Sequence, residues 1–337
     1  ISLNAAGSGS FSTSLLTVGQ HTIVAAYSSN SDNFTNSTSA SVSYDIVAVP
    51  LVHAGTSGSD NLILRLNGAG DTIQILDANT NTVLSSFAKA GTSNVVINTL
   101  DGNDSLTIDE SNGLIDIPGG VQFDGGAGDD QLKAVGNVVV ETRYDVGPEN
   151  GSGRLEHQIG TVTEIVVFHN LEPLIDLVPG TLTVNGTAAA NSFNVNAGPN
   201  SGTATVGSAA SGQVQIDTFE SIEFANKTNL TINGLAGSDT IGVSTFSAGF
   251  SDTLTTNGGD PAEGDTLIIT GTSGDDTFRY DPSGSATDAG RMALGSRNLD
   301  FTDIVDLFVS GCAVTADTVI VNGLAGDDTV LVRPLGQ

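Results

Sequence analysis

Short stretches of alternating apolar and polar residues follow one another along most of the chain, separated by corners rich in Gly, Asn and Asp. Residues 221–224, 229–232 and 239–243 form three such stretches in succession, and 303–309 and 317–321 repeat the rhythm. A period of two places successive side chains on opposite faces of a β-strand, so one face of each strand is buried. No stretch has a convincing helical period, and the pattern therefore predicts an all-β protein.

Strands this short, with a Gly, Asn or Asp corner after each, favour a parallel β-solenoid with coils of about 24 residues. In such a stack each coil buries its inward residues against the coils above and below it. Tandem antiparallel β-sandwich modules are the alternative that the same pattern allows.

Internal repeats give the strongest signal in the sequence. One phrase occupies 55–62, 186–193 and 271–278, and a second occupies 97–104, 232–239 and 321–328. A third, at 124–130, has a looser echo at 257–260. The repeats predict a first β unit over 49–178 with an insertion at 138–177, a second unit over 179–266, and the start of a third over 267–337. Because the third unit is incomplete at Gln337 and the chain starts at Ile1 without Met, we expect the sequence to be an excerpt.

Residues 1–48 read differently from the repeats. Residues 19–27, 31–34 and 37–40 resemble the C-terminal half of a bacterial immunoglobulin-like module of the kind found along large surface proteins. The resemblance implies a partial β-sandwich with an exposed apolar face and unpaired strand edges. Either the front half of the module is missing, or strands of another chain complete it.

The Gly-Asp corners suggest metal chemistry. Residues 125–132, Gly-Gly-Ala-Gly-Asp-Asp-Gln-Leu, resemble the calcium-binding nonapeptide of repeats-in-toxin proteins, Gly-Gly-x-Gly-x-Asp-x-apolar-x. The resemblance implies that glycines expose backbone carbonyls while the sixth-place Asp adds a carboxylate for calcium. The ligands implied are Asp60, Asp104, Asp130, Asp239, Asp276 and Asp328.

The other phrases depart from that motif, since Thr or Leu replaces the second Gly, and the phrases do not follow one another directly. Asn191 also takes the place of the sixth-position Asp in one copy. The alternative interpretation is a set of plain turns, in which each Asp caps backbone amides before a strand.

Composition narrows the class of partner. The 337 residues carry 38 acidic and 10 basic side chains, a formal net charge of −28. This charge disfavours nucleic acid and anionic membranes as partners. No apolar run is long enough to span a bilayer, so membrane insertion is not expected. The single cysteine, Cys312, excludes an internal disulfide framework.

An enzyme needs a convergent set of side chains, and the candidates lie in the insertion, which breaks the repeat pattern. They are Glu141, Arg143, Glu156, His157, Glu164 and His169. No spacing among them specifies a mechanism, and we expect the histidines to be surface residues.

The repeats as a whole are similar to those of very large bacterial surface proteins and adhesins, which implies a secreted or cell-surface location. We therefore expect a non-enzymatic structural or adhesive segment that associates with itself or with neighbouring modules, and that is a candidate fibre subunit. A calcium-dependent module that binds a glycan or another cell-surface ligand is the first alternative. A β-helix polysaccharide lyase or hydrolase is the second.

Overall fold

The structure is a computed structural model, and its description covers most of the repeat region. It describes residues 8–13, 16–29, 32–33, 35–199, 211–244, 250–260, 264–283, 288–295, 297–311 and 316–323.

Nearly all the strands belong to two large sheets. The twelve-stranded sheet contains β6 (Asn61–Leu66), β7 (Thr72–Asp77), β8 (Thr82–Ala88), β10 (Ser105–Asp109), β12 (Gln131–Val135), β16 (Leu174–Asp176), β18 (Ser192–Ala197), β19 (Gly212–Ile216), β20 (Ile222–Phe224), β22 (Thr240–Ser244), β24 (Thr266–Thr270) and β28 (Asp306–Ser310). The thirteen-stranded sheet contains β5 (Val49–Ala54), β9 (Thr92–Asn98), β11 (Val121–Asp124), β13 (Val140–Val146), β14 (Gly153–Ile159), β15 (Val162–His169), β17 (Gly180–Asn185), β21 (Lys227–Asn233), β23 (Phe250–Asn257), β25 (Thr277–Pro282), β26 (Gly290–Leu294), β27 (Arg297–Thr302) and β29 (Thr318–Val321). Short 3₁₀ turns at Lys89–Gly91 and Glu110–Asn112 complete the regular elements of the described residues.

The chain passes back and forth between the sheets, and strands from successive passes pair in parallel. In the twelve-stranded sheet β10 pairs with β6 on one side and with β12 on the other. Leu62, Leu106 and Leu132 therefore stand in one column, which Leu174 and Ile222 extend through β16 and β20. All five side chains are buried, because the alternation of each strand puts its apolar positions on the face between the sheets.

One hydrophobic core lies between the two sheets and runs from Leu51 to Ile304. It continues across residues 178–179 and 266–267, where the repeats predict boundaries between units, since β17 pairs with β13 and β24 pairs with β22. The expected all-β class is confirmed, and the sheets mix parallel and antiparallel ladders.

The antiparallel ladders come from four three-stranded meanders, which we call triplets. Triplet 1 is β6–β8, triplet 2 is β13–β15, triplet 3 is β18–β20 and triplet 4 is β25–β27. Triplets 1 and 3 belong to the twelve-stranded sheet, whereas triplets 2 and 4 belong to the thirteen-stranded sheet. The predicted insertion at 138–177 contains triplet 2, so it is one of several meanders rather than a unique interruption.

Triplets 2 and 3 occupy matching places in the two sheets. Triplet 2 lies between β11 and β17, and triplet 3 lies between β16 and β22. The hydroxyl of Tyr144 in triplet 2 donates to the backbone carbonyl of Glu220, at 2.6 Å, in the turn between β19 and β20. The Thr218 hydroxyl in the same turn lies 3.1 Å from Oδ1 of Asn150, in the turn between β13 and β14. The two meanders thus pack face to face.

The described part of residues 1–48 forms two short antiparallel ladders. They join β1 (Gly19–Ile23) to β4 (Val42–Ile46) and β2 (Ala26–Tyr27) to β3 (Ser37–Thr38). Most of these residues are exposed on both faces. The pairing is nested, because β1 and β4 enclose the hairpin of β2 and β3. Of the segments that carry the immunoglobulin-like resemblance, residues 31 and 34 lie outside the described residues.

Candidate functional site

The aspartates of the repeat phrases form a ladder along one edge of the stacked strands, which we call the aspartate ladder. Oδ1 of Asp104 accepts the backbone N–H of Asp60 at 2.7 Å, and Oδ1 of Asp130 accepts that of Asp104 at 2.8 Å. In the second unit, Oδ1 of Asp239 accepts the N–H of Asn191 at 2.7 Å. Each carboxylate thus accepts a backbone N–H from an earlier pass of the chain, where an unpaired buried amide would be costly.

Two further aspartates belong to this ladder although the sequence reasoning did not select them. Oδ1 of Asp265 accepts the N–H of Asp239 at 2.7 Å, and Oδ1 of Asp317 accepts the N–H of Asp276 at 3.0 Å. Asp104 and Asp130 are 26 residues apart, and so are Asp239 and Asp265, which is close to the predicted coil length. The sequence signal for them is an Asp that directly precedes a strand and lies about 26 residues from another such Asp.

The glycines of the phrases are required by the carboxylates. A Cβ at Gly234 would lie 2.3 Å from Oδ2 of Asp239, and one at Gly125 would lie 2.7 Å from Oδ2 of Asp130. Glycine therefore leaves the space that a buried carboxylate fills at each corner. At two corners Oδ2 also closes the turn, because it accepts the N–H of Thr56 in one case and of Thr272 in the other.

The predicted metal ligands are therefore spread along the stack and engaged with backbone amides. Asp60, Asp104 and Asp130 are linked in one series and Asp239 in a second. Asp276 begins a third series, and Asp328 lies outside the described residues. Within the residues that the structure describes, no three His, Cys, Asp or Glu side chains converge as a metal site. Each of the five described aspartates accepts a backbone N–H, as an Asp does when it caps a turn.

A separate group of charged side chains lies inside the core, which we call the buried cluster. It consists of Glu110, His157, Glu164, Asp176 and Lys227, and each is at most 3% exposed. His157 Nδ1 contacts Oε1 of Glu110, while His157 Nε2 lies 3.5 Å from Oδ2 of Asp176. Lys227 Nζ lies 2.5 Å from the same Oδ2. Oε2 of Glu164 accepts the backbone N–H of Ile115 at 2.5 Å.

The register of triplet 2 explains why these polar groups meet. Thr142 on β13 pairs with His157 on β14, and His157 pairs with Glu164 on β15. All three occupy inward positions that the strand alternation would otherwise give to apolar residues. A polar row thus crosses the core face of the meander. The sequence signal for it is a set of polar residues in the apolar phase of three adjacent strands.

Burial and neighbouring charge set the ionisation of the cluster. Burial, and then the charge of Glu110, raises the pKa of Glu164 from 4.5 to about 8. Burial opposes charge on His157, but the carboxylates of Asp176 and Glu110 outweigh it and raise the pKa of His157 to about 10. Burial would also raise the pKa of Asp176, yet Lys227 and His157 hold it well below its usual value. At neutral pH Glu164 is thus largely protonated, and His157 is largely in its charged form.

The side chains considered as enzyme candidates fall into separate places. Arg143 and Glu156 lie on the outer face of triplet 2, in a surface network with Asp145 and Arg154. Glu141 and His169 are exposed, whereas His157 and Glu164 point into the core. The expectation of surface histidines holds for His169 and is wrong for His157, which is 2% exposed because the inward register of β14 places it between two carboxylates.

No family model, curated protein or solved structure matches this chain. In the described residues, no helix has the length and apolar character needed to cross a membrane.

Triplets 2 and 4 nevertheless resemble each other within the chain. Arg143-Tyr144-Asp145 recurs as Arg279-Tyr280-Asp281, and the two tyrosines hold the same place in their meanders. Tyr144 stacks on Phe168 with ring centroids 6.2 Å apart, and Tyr280 stacks on Phe301 at 6.1 Å. The recurrence of Arg-Tyr-Asp is a repeat signal that the phrase analysis missed.

Proposed function

We propose that this chain is a non-enzymatic structural segment of an extracellular surface protein, built as a two-sheet β-solenoid whose ends associate with further copies of the same repeat. The observation that carries the proposal is the offset between the two sheets. Among the described residues, β7 and β8 lie beyond β5, the outermost strand of the opposite sheet, at one end, and β26, β25 and β29 lie beyond β28 at the other. The overhanging strands belong to triplet 1 of the twelve-stranded sheet at one end and to triplet 4 of the thirteen-stranded sheet at the other. Triplet 1 of one copy can therefore pack on triplet 4 of the next, as triplet 3 packs on triplet 2 within the chain.

The apolar face of triplet 1 supports this proposal. Its inward row is Leu66, Ile73 and Phe87, and the first two are buried while Phe87 is 41% exposed. Phe224 holds the place of Phe87 in triplet 3, where triplet 2 lies opposite, and it is fully buried. A facing meander would therefore bury Phe87, and burying an aromatic side chain contributes about 1.5–3 kcal/mol.

Triplet 4 presents the matching feature at the other end. Tyr144 in triplet 2 is fully buried and donates to Glu220 of the facing triplet. Tyr280, its equivalent, is half-buried, and among the described residues its hydroxyl has no hydrogen-bond partner. A triplet like 1 or 3, placed opposite Tyr280, would supply both the apolar cover and the acceptor.

Sedimentation velocity over a range of concentrations tests this association. We expect the wild-type protein to form larger species as concentration rises, and Phe87→Lys to remain monomeric because it places a charge in the docking row. Val139→Lys is the matched control, since Val139 is 69% exposed away from the sheet ends. A wild-type protein that is monomeric throughout, or a Phe87→Lys variant that associates as the wild type does, would contradict the proposal.

Residues 1–48 provide a second contact for a fibre. Their strands are exposed on both faces, and strands of a neighbouring subunit would complete the partial immunoglobulin-like module by edge pairing. Deleting residues 1–45 is then expected to reduce association without unfolding the repeats. If the assemblies persist unchanged after the deletion, residues 1–48 do not contribute to association, and the contact lies at the sheet ends alone.

A calcium-dependent adhesion module is the second candidate, and one observation favours it. Oδ2 of Asp104, Asp130, Asp239 and Asp265 is buried without a hydrogen-bond partner. Calcium prefers carboxylate oxygens, and a bound ion would stabilise the folded chain by mass action. We expect a higher unfolding midpoint in millimolar calcium than in EGTA if these oxygens bind the ion, and equal midpoints if the corners are turns only. Glycan arrays with and without calcium test the adhesive role.

A further inference from the structure

The fold does not require the buried cluster. Triplet 4 has the same strand register as triplet 2, but the row that reads Thr142, His157 and Glu164 in triplet 2 reads Phe278, Leu294 and Arg297 in triplet 4. The meander can therefore be built with apolar residues at the first two places. Charged groups cost free energy in a dry core even when paired, so their presence in triplet 2 calls for a chemical reason.

The contacts of Lys227 Nζ indicate a chemical reason for these charged groups. Nζ donates to the hydroxyl of Thr142 at 2.9 Å and to the carbonyl of Val178 at 2.6 Å. Its third neighbour is Asp176, whose Oδ2 lies 2.5 Å away. A neutral amine has two hydrogens and one lone pair. When its two hydrogens stay on Thr142 and Val178, the lone pair is left for the third neighbour, the carboxyl group of Asp176.

We propose that Lys227 and Asp176 condense to an amide bond that joins the two sheets across the core. The ammonium first gives a proton to the carboxylate, which yields a neutral amine and a carboxylic acid. Nζ then attacks Cγ of Asp176, the Nζ–Cγ bond forms, and the bond from Cγ to Oδ2 breaks. The departing oxygen leaves as water with two of the three hydrogens that Nζ carried, and the amide nitrogen keeps the third. Charge and atoms balance without any cofactor or oxidant.

The surroundings favour this condensation. Both side chains are completely buried, so one proton transfer across the 2.5 Å contact converts the ion pair into the neutral amine and carboxylic acid that react. Strands β16 and β21 hold the reacting atoms in contact, so the reaction has the high effective concentration of a well-oriented intramolecular step. His157, held by Glu110, lies 3.5 Å from Oδ2 and can relay a proton, giving one to the leaving oxygen and regaining one from Nζ, so the overall balance is unchanged. The proposal depends on the local geometry alone and does not rest on the proposed function.

Mass spectrometry of the purified, denatured wild-type protein tests the bond. We expect the intact mass to be lower than the sequence mass by one water molecule, and we expect trypsin not to cut after Lys227. A protease specific for Glu separates the two residues by cutting after Glu220 and Glu223. A peptide pair linked through Asp176 and Lys227 is then expected.

Two variants complete the test. Lys227→Arg keeps a positive charge beside Asp176 but cannot condense in this way, so its mass is expected to equal its full sequence mass. Lys133→Arg changes a lysine on β12 outside the cluster and is expected to keep the loss of one water. A wild-type protein with its full sequence mass and normal cleavage after Lys227 would overturn the proposal and leave an ionic contact only. The wild-type result decides the question even if Lys227→Arg fails to fold.

Discussion

The ladder aspartates show how a single side chain can serve two passes of the chain. One carboxylate oxygen accepts a backbone amide from an earlier pass, and the other faces a glycine of its own turn. Asn191 keeps the second role, because a Cβ at Gly186 would lie 2.6 Å from its Oδ1, which also accepts the N–H of Thr187 at 2.7 Å. This position thus requires a short side chain that ends in an acceptor oxygen, and both Asp and Asn have one.

This reasoning predicts different costs for two substitutions at Asp239. Asp239→Ala leaves the buried amide of Asn191 without its acceptor, and we expect a loss of about 1–3 kcal/mol in the free energy of unfolding. Asp239→Asn keeps the acceptor and is expected to cost much less. Chemical denaturation of both variants measures the difference, and equal losses would show that the carboxylate charge, rather than the acceptor, matters.

The buried cluster predicts a dependence of stability on pH. Because the pKa of Glu164 rises from 4.5 to about 8 on folding, the folded chain holds a proton between those values that the unfolded chain has released. The free energy of unfolding is therefore expected to fall as the pH rises from 4.5 to 8. Glu164→Gln imitates the protonated form and is expected to flatten this slope. Unfolding curves at several pH values compare the two proteins, and identical slopes would show that Glu164 titrates normally.

At the scale of elements, one meander is used in two settings. Triplet 2 has a facing partner, and triplet 4 has none in the described residues. Stacking of Tyr on Phe is the same in both, so this contact belongs to the meander itself. The hydrogen bond from the tyrosine hydroxyl belongs to the interface between facing triplets.

The two tyrosines therefore form a matched pair for mutation. Tyr144→Phe removes the donor to the buried carbonyl of Glu220, and we expect a loss of about 1 kcal/mol in the free energy of unfolding. Tyr280→Phe is expected to have almost no effect in the monomer. Thermal or chemical unfolding of the two variants tests this, and a larger loss for Tyr280→Phe would contradict the assignment of the facing pair.

The sequence predicts the strands well because their apolar alternation is local. The segments predicted at 229–232 and 239–243 correspond to β21 and β22, and their inward residues are buried. The triplets could not be foreseen, because strand order depends on pairing between distant segments. The buried cluster was missed for the same reason. His157 alone reads as a polar residue between polar neighbours, and only the register with Thr142 and Glu164 reveals a row inside the core.

The whole molecule is a stack in which each pass pairs with its neighbours and the two sheets end at different levels. The formal charge of −28 disfavours random lateral contact between copies, since like-charged surfaces repel. Apolar residues remain exposed on strands at both ends, among them Val83 and Phe87 on β8 and Val319 on β29. Exposed apolar groups at the ends of a strongly charged chain favour association through those ends under the proposal.

Electron microscopy of the wild-type protein at increasing concentration tests this central claim most directly, because images show the direction of growth as well as its extent. We predict rods of constant width that lengthen end to end, and short rods of the same width for Phe87→Lys. Particles that keep one length at every concentration, or that grow sideways into sheets, would contradict the account of a structural segment joined through its ends.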